Sequence, residues 1–565
     1  MRTCKNKWLM VFSLFIVCHL LFNPFGALAQ PSWVKKASKS VFTLKTFDAN
    51  GTLMGSANGF FVDKDGVAVS SFAPFKGAHS AVVIDAAGKE YPVMCILGAN
   101  DTYDVVKFRV TASKTQPLTV AQQPQTVGAQ VWLLPYLQVK NITNGVVRQA
   151  ETFNGNYTYY TVAMQVPENT VGAPLMTADG EVIGLLQQST SATDTLCYAV
   201  SALFADSLKL TGLSINDPAL RSTAVKKALP DDVSQAQVSL FMGSSSLDSL
   251  AYVELVDDFI RQFPNHPDGY TYRAQLWANS NQYDEADRNM QQALKVAEHP
   301  DEVRYTYSRL IFQKMVYNAD VPYEPWTLDR AYEEAEKAWT QNPMPVYKQQ
   351  QAIVRYAQQR YDDACTLYED LFNSSLRSPE IFFAASVCKE QLGDTLGRLA
   401  LLDSCLAQFS RPYLKEAAPY LLARAQLQID MKRHRAAVND LNDYETVMKA
   451  QVNANFYYLR YQAEVQGRLF QQALNDINEA IRLTPQSDLY YAEKASLQVR
   501  VGQYDEAIQT ALTCIELAPD HSDGYLFLGL AQCLKDQKAE GVKNLQKAKE
   551  LGDPQAEELI EKYSK

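Results

Sequence analysis

The sequence predicts a multidomain fold, an all-β unit followed by an all-α superhelix of repeated helix pairs. Three observations carry this. From Val41 to about Ser201, short apolar runs are broken by Gly, Asp and Asn at close spacing, the pattern of an antiparallel sandwich or barrel. After Asp231 the apolar period lengthens from two to that of helices. Between residues 454 and 555, small residues recur at a constant interval of 34, which marks a stacked array. The 565 residues also exceed what one hydrophobic core organises.

The first element is a leader. Arg2, Lys5 and Lys7 precede an apolar stretch from Trp8 to Phe22, and Ala27-Leu28-Ala29 forms a cleavage box, so residues 1–29 are expected to be a signal peptide. The alternative, an uncleaved anchor, is disfavoured because the apolar run is short for a spanning helix. The expected product is exported, periplasmic or extracellular, with no integral membrane segment after cleavage. Its composition is that of packed domains, with 47% hydrophobic and 21% charged residues. The net charge of −10 is spread along the chain without a Lys/Arg block, which argues against a nucleic-acid partner. Of nine cysteines, Cys95, Cys197, Cys365, Cys388, Cys405, Cys514 and Cys533 lie beyond the leader, far apart and in no Cys-x-x-Cys or Cys/His cluster. No metal site or redox motif is therefore expected, and most of these thiols should be small buried hydrophobes. No loop or cluster implies a cofactor.

Within the β unit, Gly59-Phe60-Phe61-Val62 precedes an Asp65-Gly66 turn and leads through Ser70-Ser71-Phe72 to Ala73. Asp104-Val105-Val106-Lys107-Phe108 opens a later strand. Asn169-Thr170-Val171-Gly172-Ala173-Pro174-Leu175 is followed by the hairpin Asp179-Gly180-Glu181-Val182-Ile183-Gly184. In this order, over roughly residues 35–205, these segments resemble the trypsin-like serine proteases in their bacterial heat-shock-protease branch. The resemblance implies two β-barrels. It places the family's catalytic histidine at Ala73, its aspartate at Asp104 and its nucleophile at Val171, at spacings of 31 and 67 residues. Asn169 and Gly172 fall in the oxyanion loop.

Amide hydrolysis by that route needs a nucleophilic oxygen, an imidazole and a carboxylate that orients it. Alanine accepts no proton and valine presents only methyls, so the resemblance implies a pseudoprotease. A side chain at Asn169 also crowds a loop that the family keeps bare. Displaced nucleophiles would have to come from Ser70, Ser71, Thr170 or Cys197, with His79 the one histidine of the mature β unit. What the fold retains is a container, with peptide addition along a strand edge as one use.

The α unit is expected over 244–563, after a trypsin-like domain at 33–205 and a linker at 206–243. The sets Ala473, Ala507, Gly541; Tyr461, Ala495, Gly529; and Ala480, Cys514, Ala548 each keep the interval of 34, with Pro485 and Pro519 ending units. This resembles the tetratricopeptide repeat, with Tyr504-Asp505-Glu506-Ala507 the cleanest second-helix start. Looser copies surround Ala274 to Ala293, Ala331 to Pro343 (with an enlarged loop at Met315 to Thr327), Ala352 to Ala364, an eroded stretch from Leu392 to Cys405, and Ala425 to Ala437. About seven or eight repeats follow, counting a partial opening unit at 244–263, and Pro554 to Tyr563 reads as a capping helix.

Projected on the repeat register, the first helices line a concave face with Asp268, Thr271, Gln275 and Asn279; Gln349 and Tyr356; Asn455, Tyr458, Gln462 and Gln466; and Ser496 and Arg500. That lining is polar, partly aromatic and without a basic clamp, which suits an extended peptide. The expectation is a non-catalytic exported adaptor for a protein or peptide. Its alternatives are a regulatory pseudoprotease subunit of an envelope complex and an active serine-type peptidase with displaced residues.

Overall fold

In β1 (Val41–Phe47) every second side chain turns inward, burying Phe42, Leu44 and Thr46. It pairs with β2 (Leu53–Phe61), and β3 (Val67–Ser70), β4 (Ser80–Ile84), β5 (Glu90–Asn100) and β6 (Val105–Val110) follow. Antiparallel pairing in the order β1-β2-β3-β6-β5-β4 closes the first barrel, with Thr43 opposite Ile84 at the seam. The second barrel takes β7 (Gln130–Leu133), β8 (Thr143–Phe153), β9 (Tyr157–Ala163), β10 (Pro174–Met176), β11 (Val182–Leu186) and β12 (Leu196–Ser201). Its order is β10-β11-β12-β9-β8-β7. Phe42, Phe75 and Phe108 fill one barrel and Leu133, Tyr160 and Val162 the other, while Phe60, Val69, Trp132, Met176 and Leu185 join them across the seam. Each strand has two neighbours in the barrel order, but β8 pairs with β7 only over Thr143–Val146 while it pairs with β9 as far as Phe153, so its distal half is paired on one side. The computed structural model describes residues 31–138, 140, 142–188 and 195–564; the expected signal peptide lies outside the described residues.

The expected linker at 206–243 is instead built structure. Leu220 and Val225 are buried with the first-barrel core. The Ile96 amide donates to the Lys226 carbonyl (2.8 Å), and the Ala228 amide donates to the Ile96 carbonyl (2.9 Å). This stretch thus adds backbone pairing to β5 at the parallel bridge Ile96–Lys227. The first helix of the α region begins at Val233, not at 244, and pairs with Ser249–Gln262. Contacts divide the chain into two compact units at Leu276/Trp277, so the expected limits at 205 and 243 do not mark the division.

From Pro267 to Glu550 the described residues form eight helix pairs, ending in the cap Ala556–Tyr563. The eroded copy is a full pair, Pro379–Gln391 and Thr395–Leu406. Small residues sit where two helices cross most closely. A Cβ on Gly541 would lie 2.4 Å from Cys533 Sγ and 2.7 Å from the Gly529 carbonyl oxygen, and one on Gly529 would lie 2.8 Å from the Gly541 carbonyl oxygen. Ala473 and Ala507 are fully buried at the equivalent place. The enlarged loop lies between Tyr317 and Leu328 and is pinned by Trp326, whose indole N–H donates to Asp287 at 2.7 Å. No helix among the described residues is long and apolar enough to cross a membrane.

Candidate functional site

Two places concentrate the expected residues. The first is the loop between β9 and β10. Asn169 takes a left-handed backbone (φ +59°), and so does Gly172 (φ +81°). A Cβ on Gly172 would stand 2.1 Å from the Asn58 carbonyl oxygen, so only glycine lets the two barrels approach here. Asn58, within β2 and opposite Thr43, holds the loop. Its amide donates to the Val171 carbonyl at 2.7 Å, its side-chain Nδ2 to the Asn169 carbonyl at 2.8 Å, and its Oδ1 accepts from the Tyr136 amide at 2.8 Å. Sequence reading missed this buried residue. The one available signal was a polar side chain directly before the glycine-aromatic strand.

Asp104 is half-buried with a positive φ of 48°. Its Oδ2 accepts from the Ser71 hydroxyl at 2.5 Å and its Oδ1 from the Ala73 amide at 2.6 Å. Burial raises the carboxyl above its ordinary value, against the pull of those donors. Ala73 is exposed and Val171 half-buried. The displaced-nucleophile candidates are all buried. Ser71 is bound to Asp104, Ser70 donates to the Asn58 carbonyl at 2.7 Å, and Thr170 donates to the Pro167 carbonyl at 2.7 Å. Burial pushes the Cys197 thiol up to about 12, the opposite of an activated thiolate. Six of the seven described cysteines are buried free thiols, and Cys95 is half-buried. No cluster of three metal-ligating side chains occurs among the described residues.

The second place is the adjacent helices Ala454–Gln466 and Asp488–Arg500. The structure brings Tyr458 and Tyr461 onto Glu493, with Asn455 joined through Tyr490 and Gln462 beside Tyr458. Tyr458 donates its hydroxyl to Glu493 Oε1 at 3.1 Å, Tyr461 to Glu493 Oε2 at 3.0 Å, and Tyr490 to Asn455 Oδ1 at 3.2 Å. The Tyr458 ring lies 5.3 Å from that of Tyr490 and 5.9 Å from that of Tyr461. Burial first, and then the Glu493 charge, lift the Tyr458 hydroxyl to about 12. Gln462 and Gln466 are exposed, as is Arg500, with Ser496 half-buried one turn away. Tyr490 and Glu493 escaped the sequence reading because only positions along a single helix were projected; the partner helix supplies them.

The other expected groove residues do not join this cluster. Tyr356 packs edge-on against Tyr361 at 5.2 Å and belongs with the core around Cys365 and Cys388. Gln349 is half-buried on helix Pro345–Ala357. On helix Pro267–Asn279, Asp268 is engaged by Gln237 Nε2 at 2.7 Å, the Thr271 hydroxyl donates to the Asp268 carbonyl at 2.9 Å, and Gln275 and Asn279 are exposed.

A family model described as trypsin-like peptidase domain matches residues 57–185, and one described as tetratricopeptide repeat matches residues 489–521. The class is thus a trypsin-like peptidase domain followed by a tetratricopeptide-repeat region. Two curated relatives are the small glutamine-rich tetratricopeptide repeat-containing protein 2 of Saccharomyces cerevisiae and the Hsp70-Hsp90 organizing protein of Triticum aestivum. The first is 27% identical over 93 residues, covering 16% of this chain and 27% of its own. The second is 26% identical over 157 residues, covering 26% of this chain and 27% of its own. The chain therefore spans about a quarter of the length of each. Among solved structures, the active form of the Rv3671c protease from M. tuberculosis matches with a TM-score of 0.29 at 20% identity, over 33% of this chain and 86% of that one. The same protease's inactive form gives 0.27 at 20%, over 33% and 94%.

Proposed function

We propose that this protein is a non-catalytic, exported scaffold that binds a protein or peptide through its repeat array. The observation that carries the reading is the cluster in which Tyr458 and Tyr461 donate to Glu493, with Tyr490, Asn455 and Gln462 beside Tyr458. It pairs aromatic faces with amide and carboxylate acceptors, which suits the backbone and side chains of an extended peptide. The β unit, in this reading, performs no hydrolysis. Ala73 and Val171 offer neither base nor nucleophile, and Asp104 already accepts from Ser71 and the Ala73 amide. The intact Asn58 clamp favours a second role for that unit, as a regulatory pseudoprotease subunit of an envelope complex, since an abandoned cleft would need no such tie.

The test has two arms. Mature protein incubated for many hours with a denatured whole proteome should generate no new cleavage sites over a buffer control; reproducible sites would overturn the non-catalytic reading. Partners cross-linked in envelope extracts should then be titrated against Tyr458→Ala and Gln462→Ala. Each variant should keep the helical signal and weaken binding by about tenfold, and unchanged affinity would remove the groove assignment.

A further inference from the structure

The stretch expected from sequence to be a linker forms one wall of a cavity of about 370 Å³, and the helix pair Val233–Ser246 and Ser249–Gln262 forms the other. Gly212 N–H donates to Gln235 Oε1 at 3.0 Å and Gln262 Nε2 donates to the Pro230 carbonyl at 2.9 Å, so both walls are fixed to each other. The lining is mainly aliphatic, from Leu210, Ile215, Leu229, Leu247 and Leu255.

Its charges are unequal. Arg221, Lys226 and Lys227 face Glu254 and Asp258. Asp258 is already held by Lys226 at 2.5 Å and by Arg261. Lys227 donates to the carbonyl of Thr223, and among the described residues no carboxylate pairs with it or with Arg221. A part-buried ammonium with no counter-ion is costly, and burial accordingly pulls the Lys227 amine below its ordinary value. The cavity thus combines aliphatic walls with a cation that has no carboxylate partner, the pairing that defines a site for an amphipathic anion. At ~30 Å³ per heavy atom the volume holds about a dozen such atoms.

We propose that this cavity binds a free medium-chain aliphatic carboxylate, with its chain among the leucines and its carboxylate on Lys227. This site is separate from the peptide scaffold reading and does not rest on it. Decanoate is of the right size. Titration calorimetry on the full-length mature protein should show decanoate binding on the order of tenfold more tightly than decan-1-ol. Lys227→Met should erase that ratio while leaving the alcohol's affinity in place, and Ile215→Trp, which fills the cavity, should abolish both. The wild-type contrast between acid and alcohol stands even where a variant misfolds. Equal affinity for acid and alcohol, no binding of either, or a ratio untouched by Lys227→Met would overturn the proposal. So would tighter binding of N-acetyl-leucine, a polar acid of similar size, because that would assign the cavity to a peptide C-terminus.

Discussion

The two units bury polar groups in different ways. In the β unit the buried polar side chains make unique long-range ties. Asn58 reaches Asn169 across 111 residues, and Ser71 reaches Asp104 across 33. In the helical unit the buried polar groups repeat. Arg424 binds Asp440 and Arg460 binds Asp476, each 16 residues on. The next repeat has Lys494 and Thr510 at those places. Gln428, Glu464, Gln498 and Gln532 form a second row, all buried. A unique tie has no substitute within the molecule, whereas a repeated position displays its own tolerated variants. Damage should therefore be severe in the first unit and graded in the second.

The largest effect belongs to Gly172→Ala. A methyl 2.1 Å from a backbone oxygen, on a residue with φ of +81°, cannot be relieved by a rotamer change. The cost is expected to be about 4 kcal/mol or more. Calorimetry should show the β-unit transition lowered or lost with the helical transition unmoved, and an unshifted β transition would break the comparison. Next comes Arg460→Met. Arg460 is buried against Asp476 at 2.6 Å and Glu445 at 2.6 Å, so its loss strands carboxylates inside the repeat at about 3–5 kcal/mol. Lys494→Met, at the same place one repeat later, has no carboxylate partner among the described residues and is already disfavoured in its charged form by burial. It should be neutral or slightly stabilising. Equal losses from both variants would mean that the two repeats do not differ as the ion pairs indicate.

Glu464→Gln sharpens the same contrast through pH. Burial, then the Asp476 charge, raises the Glu464 carboxyl to about 8 against the pull of Arg460, and its Oε2 has no hydrogen-bond partner. Its unfolded value is near 4.3. The folded state therefore prefers the protonated form, and ionisation costs stability from about pH 4.3 upward, with the full cost present above about pH 8. Glutamine, as at 428, 498 and 532, should leave the melting temperature unchanged near pH 4 and raise it above pH 8. A constant offset at all pH values would show that packing, not charge, separates the two side chains.

How much of this was legible follows from the same distinction. Period 34 and the Ala–Gly crossings announced the helix pairs because a repeat states its contacts several times. The barrels were legible through three ordered motifs, since their strands alternate too briefly to fix a topology alone. The Asn58 clamp was not, because a contact 111 residues away leaves no local period. Residues 222–228 read as a linker because they are held to the first barrel mostly through backbone atoms, to which sequence pattern is blind. Tyr490 and Glu493 lay within reach, and required reading the register across neighbouring helices rather than down one.

The smallest expected effect tests whether Asp104 can serve an imidazole placed at residue 73, as the trypsin-like resemblance implies. Ala73 is exposed, and its backbone amide is bound to Asp104 Oδ1, so an imidazole introduced by Ala73→His would be tethered beside a carboxylate without disturbing the core. Stability should change little. The new imidazole should titrate above the usual value of about 6.5, because a neighbouring carboxylate favours the charged ring, and the shift should vanish when Asp104→Asn is added. Nuclear magnetic resonance titration of the ring protons reads this directly. On the non-catalytic reading proposed above, the variant is expected to hydrolyse nothing, since Val171 supplies no nucleophile. A ring that titrates at its ordinary value would mean that Asp104 now serves the Ser71 and Ala73 turn alone, and that the barrels keep the fold of a protease without the geometry of its base.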